Sequence, residues 1–173
     1  VDELILKEGV AATFTGAQLN GEDIVINEAG SGTTTLDIDV TGTTAVDFSS
    51  LDFATSLGGG NAFEDGTDLV DIDGDNADNV ITGTDLADII NGGAGADTLN
   101  GGTGNDTFFY GTSASLIPTA GDDAMLDTVD GGAGSGDKIV VDGAVSIGAG
   151  GTDTLAKATN VEIFQLDTNP SNG

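Results

Sequence analysis

Asn79, Asp88, Asp97 and Asp106 follow one another at steps of nine, and two residues after each stands an apolar side chain: Ile81, Ile90, Leu99 and Phe108. Glycine crowds the approach to the later acids, in "GGAGADTLN" from Gly92 and "GGTGNDTFF" from Gly101. The chain has no cysteine and no histidine, so thiolate and imidazole ligation are excluded and only carboxylate, amide and carbonyl oxygens remain. Oxygen donors suit hard cations. Of these, calcium tolerates irregular sites of six to eight oxygens at about 2.3–2.6 Å, whereas magnesium demands a stricter octahedron.

The charge points the same way. Thirty Asp and Glu face three basic residues, for a formal net charge of −27. Such a chain repels nucleic acid and anionic membrane surfaces. A compact fold brings these carboxylates together, and the repulsion must be relieved by salt, by an elongated shape or by bound cations. No apolar run approaches the ~20 residues that span a bilayer, so neither nucleic-acid binding nor membrane insertion is expected. The 173 residues suit one continuous domain. Val1 stands where an initiator methionine would, with no signal-like segment before it, which reads as a mature or excised piece of something longer.

The spacing dictates how the acids are positioned. Three residues such as Thr98, Leu99 and Asn100 make a short strand with Leu99 on one face, and the six before them reverse the chain with glycines that enter left-handed conformations at no steric cost. Two phrases make one coil with a strand on each side. Stacked coils give an all-β fold, a parallel β-roll or β-solenoid of two facing sheets. The loops then alternate between the two edges, so Asp88 lies with Asp106 and Asn79 with Asp97. With coils ~4.8 Å apart, carboxylates and loop carbonyls converge on one gap, and without a cation they stack like charges. Folding is therefore expected to depend on calcium.

Four segments follow. Residues 1–73 read as a strand-rich solenoid part, with alternating runs "DIVIN", "TTLDIDV", "AVDFSSLDF" and "DLVDID"; Leu4 to Val10 alone has some helical spacing. Residues 74–109 hold the core repeats. Residues 110–126 break the period and predict an irregular, protruding loop. Residues 127–173 resume it, with Asp127 and Asp137 one residue beyond the regular step, and end in the strand "NVEIFQLD".

These phrases resemble the RTX, or haemolysin-type, calcium-binding nonapeptide repeat. The closest matches are "GGAGADTLN" and "GGTGNDTFF"; "GTDLADIIN", "GDNADNVIT" and the longer "GGAGSGDKIV" are looser. The flanks resemble solenoid segments of large RTX surface proteins, including S-layer proteins and adhesins. The resemblance implies a calcium-loaded β-roll with Asp88, Asp97, Asp106 and Asp137 as side-chain ligands, joined by Asp127 and by Asn79 in place of an acid. Carbonyls come from Gly93, Gly95, Gly102 and Gly104, and in the later repeat from Gly132 and Gly134. Leu86 stands where a loop glycine is expected, so the first sites are weaker or capping, and two to five ions are expected. The implied setting is a secreted protein at a bacterial cell surface, with calcium ions, other copies of itself or other modules of the same protein as partners. The implied role is structural and self-assembling, as in an S-layer or filament. The alternative is an accessory folding and export module, or a spacer, of a type I-secreted adhesin, toxin or hydrolase.

Other motifs fall short. "DIDGDN" from Asp71 begins like an EF-hand loop, but Asn76 takes the glycine position and Thr82 that of the bidentate glutamate. Asp71, Asp73 and Asp75 are then turn residues or part of a further calcium site. "GGAGSGDK" lacks the Gly-Lys-Ser/Thr order of a phosphate loop. Paired carboxylates serve glycosidases, yet there is no Trp and one Tyr to stack on a sugar, and no enzyme is expected. The threonine runs read as strand-favouring surface. Most aromatics read as core, with Phe109 and Tyr110 capping the roll or meeting a partner.

Overall fold

The computed structural model describes residues 2–7, 9–29, 32–53, 61–63, 67–111, 125–142 and 155–167. Two parallel sheets carry the molecule. The larger runs through β2 (Ala11–Thr15), β4 (Thr35–Asp39), β7 (Leu69–Asp73), β9 (Asp88–Asn91), β11 (Thr107–Tyr110), β13 (Lys138–Asp142) and β15 (Ile163–Asp167). The smaller runs through β5 (Ala45–Asp47), β8 (Val80–Thr82), β10 (Thr98–Asn100), β12 (Thr128–Asp130) and β14 (Ala158–Thr159). From β7 onward consecutive strands alternate between the two sheets, which is the β-roll that the nine-residue step predicts.

Alternation along each strand builds the interior. In the larger sheet Ile38, Ile72, Ile90, Phe108, Ile139 and Phe164 lie in register, each opposite the next. Val46, Ile81, Leu99 and Val129 do the same in the smaller one. All but Phe164, which is half-buried, are withdrawn from solvent. Each such side chain contributes roughly 1.5–3 kcal/mol by leaving water. The period therefore sets which residues meet in the core.

A third small sheet, absent from the sequence reading, joins β1 (Asp2–Leu6) and β3 (Ile24–Glu28) in parallel with β6 (Asn61–Ala62) antiparallel. This corrects the helical expectation over Leu4 to Val10. Leu6 is buried and Ile5 is 51% exposed, a period of two that belongs to a strand. The one helix among the described residues is the single turn α1 (Gly16–Leu19). The two residues after it close the free edge of β5: Gly21 N–H donates to the Asp47 carbonyl at 3.1 Å, and Asp47 N–H donates to Asn20 Oδ1 at 2.8 Å. Unpaired strand edges invite association, and this one is covered.

Tyr110 belongs to β11 and Met125 is buried in the core. The protruding loop expected between them falls on residues 112–124, outside the described residues.

Candidate metal centre

The turns between the sheets place the sixth-position residues in two columns. In the first, Asn79 N–H donates to Asp97 Oδ1 at 2.8 Å, and Asp97 N–H donates to Asp127 Oδ1 at 2.8 Å. In the second, Asp88 N–H donates to Asp106 Oδ1 at 2.9 Å, and Asp106 N–H donates to Asp137 Oδ1 at 2.8 Å. The pairing of Asp88 with Asp106 and of Asn79 with Asp97, expected from the alternation of edges, is what the fold delivers. All six residues are buried.

Asp97, Asp106, Asp127 and Asp137 thus each spend one oxygen on the N–H of the preceding coil. The other oxygen of Asp97 and of Asp137 is buried and receives no hydrogen bond. A buried anionic oxygen without a donor is costly, and the chain's three lysines are too few to neutralise the columns. Burial, with the charges of Asp127, Asp78 and Asp75, raises Asp97 to about 6 despite the bond from Asn79 N–H. Burial foremost also raises Asp127.

Glycines shape the space around these oxygens. A Cβ on Gly92 would run into Asp97 Oδ2, and one on Gly101 into Asp106 Oδ2. Gly93, Gly95, Gly102, Gly104 and Gly132 have positive φ. Their loops stack directly: Ala94 N–H bonds the Asp75 carbonyl at 2.9 Å and Ala133 N–H that of Gly102 at 2.8 Å. Buried carboxylates, glycine loops whose backbones touch and an oxygen-only donor set fit calcium.

Residues 72–112 are RTX calcium-binding nonapeptide repeats. The family model matches them in four copies; no curated protein and no solved structure matches the chain. RTX repeats bind calcium, and the segment is a calcium-binding β-roll.

Around the RTX segment the columns end in protein groups that sequence reasoning missed. At the start of the second, Thr84 N–H and Oγ1 donate to the two Asp88 oxygens at 2.6 and 2.8 Å. At the start of the first, Asp75 N–H donates to Asn79 Oδ1 at 3.1 Å. At the far end of the second, Asp137 N–H donates to Glu162 Oε2 at 3.0 Å, while Asn160 takes the left-handed turn at φ 52° that a glycine takes elsewhere. Asp127 Oδ2 accepts the Tyr110 hydroxyl at 2.9 Å. The Thr84 pairing had a visible signal, a hydroxyl four residues before the acid. Glu162 and Tyr110 had none, because both lie off the nine-residue step.

The acids of "DIDGDN" are in part not where a turn would put them. Asp71 and Asp73 lie in β7 on the outer face of the larger sheet, level with Asp37 and Asp39 of β4. Carboxylate oxygens of Asp37, Asp39 and Asp73 come within 4.8 Å of one another. Thr13 Oγ1 donates to Asp37 Oδ2 at 2.9 Å and Asn91 Nδ2 to Asp73 Oδ1 at 3.1 Å. Asp75 is the turn residue, its Oδ1 accepting Ala77 N–H at 2.8 Å, and such bonds hold its carboxyl below the usual range.

Proposed function

We propose that this chain is a structural module of a secreted bacterial surface protein, which folds and stiffens when calcium outside the cell fills its two carboxylate columns. Asp97, Asp106 and Asp137 are the side-chain ligands in this reading, with Asp88 and Asn79 at the weaker leading ends and the carbonyls of the glycine loops completing the sites. One observation carries it: Asp97 Oδ2 and Asp137 Oδ2 are buried without a hydrogen bond, in loops that lie just where the fold stacks acid on acid. Low calcium inside the cell would keep the columns apart by repulsion and the chain open for export.

Self-assembly end to end is part of the proposal. The larger sheet terminates at β15, where Ile163 and Leu166 are 45% and 47% exposed, and an apolar strand edge favours pairing with another chain. The rival role is a spacer or accessory export module.

A calcium titration followed by circular dichroism and light scattering, with magnesium as control, tests the reading. A coil-to-β transition specific to calcium is expected, followed by scattering above monomer size. A chain already folded in excess chelator and indifferent to calcium would sink the ligand assignment, and a persistent monomer would leave the spacer role.

A further inference from the structure

Tyr110 ends β11 with 3% of its surface exposed, and its hydroxyl reaches Asp127 Oδ2. Three carboxylates can be compared. Asp97, Asp127 and Asp137 each accept one backbone N–H from the preceding coil through Oδ1. In Asp97 and Asp137 the second oxygen is buried with no donor; in Asp127 it holds the phenol. The sequence before them differs in parallel. "GGAGA" leads into Asp97 and "GGAGSG" into Asp137, whereas "AGDDAML" leads into Asp127. The repeat's glycine loop, which turns freely and brings backbone carbonyls close to the acid, is interrupted at Asp127 alone among the three.

A buried carboxylate oxygen needs a cation or a hydrogen-bond donor. We infer that Tyr110 takes the place of a calcium ion at Asp127, closing the first column with a protein donor. This inference rests on the calcium reading of the other loops. Bound ions are then confined to turns that keep their glycines, and Asp127 serves as an acceptor for Asp97 N–H and Tyr110 O–H. Lys157 stands close by, its Nζ donating to the Leu126 carbonyl at 2.8 Å. The phenol itself stays protonated, because burial and the adjacent Asp127 raise its pKa.

The test counts calcium bound per full-length chain, by equilibrium dialysis at saturating calcium, in the wild type, Tyr110→Phe, Asp127→Asn and Asp97→Asn. Asp97→Asn is expected to lose at least one ion. Asp127→Asn is expected to keep the wild-type number, and Tyr110→Phe to keep it or gain one, because the released oxygen is open to an ion. With Asp97→Asn behaving as expected, loss of an ion in Asp127→Asn makes Asp127 a ligand, and loss of an ion in Tyr110→Phe makes the phenol a support of an ion site; either overturns the inference alone. A wild type that binds no calcium overturns the parent reading as well. Should Asp127→Asn fail to fold, Tyr110→Phe decides, since it keeps every carboxylate. The chain has one tyrosine and no tryptophan, so its near-UV spectrum provides a second readout. With calcium bound, a red-shifted, carboxylate-bonded phenol is expected; a solvent-like phenol overturns the inference.

Discussion

Asp106 N–H donates to Asp137 Oδ1 at 2.8 Å across 31 residues, the same bond that Asp88 N–H makes to Asp106 Oδ1 at 2.9 Å across 18. The extra length between Asp106 and Asp137 is absorbed without disturbing the column, because the carboxylate has two roles there. It accepts the N–H of the coil below, which fixes register, and it presents a second oxygen to the loop, which calls for a cation.

The two roles separate by mutation. Asp137→Asn keeps an acceptor for Asp106 N–H but loses the charge, so the chain should fold at saturating calcium with its midpoint moved to higher calcium, by tenfold for each ~1.4 kcal/mol of binding lost. Asp137→Ala removes the acceptor too and leaves a buried N–H unmet, costing a further ~1–3 kcal/mol. Calcium titration and thermal unfolding of both variants check this. If the midpoint of Asp137→Asn matches the wild type, Asp137 holds no ion.

Glycine in the loops is required for space and not for φ alone. A Cβ on Gly101 would meet Asp106 Oδ2 and, at 2.6 Å, the Gly131 carbonyl, whereas Gly42, at φ 71°, has nothing within 4 Å. Gly42→Ala should therefore cost only the left-handed penalty of about 1–2 kcal/mol. Gly101→Ala should cost several times more and abolish calcium binding at the second column. Equal losses of melting temperature in the two variants would refute the crowding argument.

The roll was legible because its signals are local and repeated. Ile81, Ile90, Leu99 and Phe108 occupy the core since a fixed step forces them to one face, and the same step stacks Asp88 on Asp106. What escaped the sequence lies at the ends. Glu162 reaches Asp137 from a turn with no repeat spacing, Tyr110 reaches Asp127 from across an insertion, and β1 and β2 form outside the nine-residue step, whereas the alternation of "DIVIN" did announce β3. The outer ladder of Asp37, Asp39, Asp71 and Asp73 depends on which strands become neighbours, and β4 and β7 are joined by a connection whose length no residue pattern reveals.

That ladder predicts a pH dependence. Burial, and then the charges of Asp73 and Asp37, raises Asp71 to about 6 from its ordinary value of 3.8. The folded chain thus holds this proton more tightly than the unfolded chain. The resulting stabilisation is complete below pH 3.8 and is lost as the pH rises through 6, so ionised Asp71 opposes folding at neutral pH. Asp71→Asn should melt higher than the wild type at pH 7.5, with the gain fading by about pH 4, where the wild type is protonated as well. Melting curves of both chains across that range at fixed calcium decide it, and a difference independent of pH would rule out ionisation as the cause.

Folding and binding are coupled through the core, and Phe108 with Phe109 tests how tightly. Phe108 is fully buried opposite Ile90 and Ile139, while Phe109, the next residue, is half-buried on the outer face. Phe108→Ala should cost about 3–5 kcal/mol, or roughly 2–4 °C of melting temperature per kcal/mol in a chain of this size. Neither substitution touches a ligand. Yet if ions bind only the folded roll, the core loss must also raise the calcium needed for folding, since part of the binding energy is then consumed in restoring the fold. Phe109→Ala should move both quantities far less. A Phe108→Ala chain that melts lower but takes up calcium at the wild-type midpoint would mean that the loops bind ions before the coils are packed, and the columns would then be preformed rather than assembled by calcium.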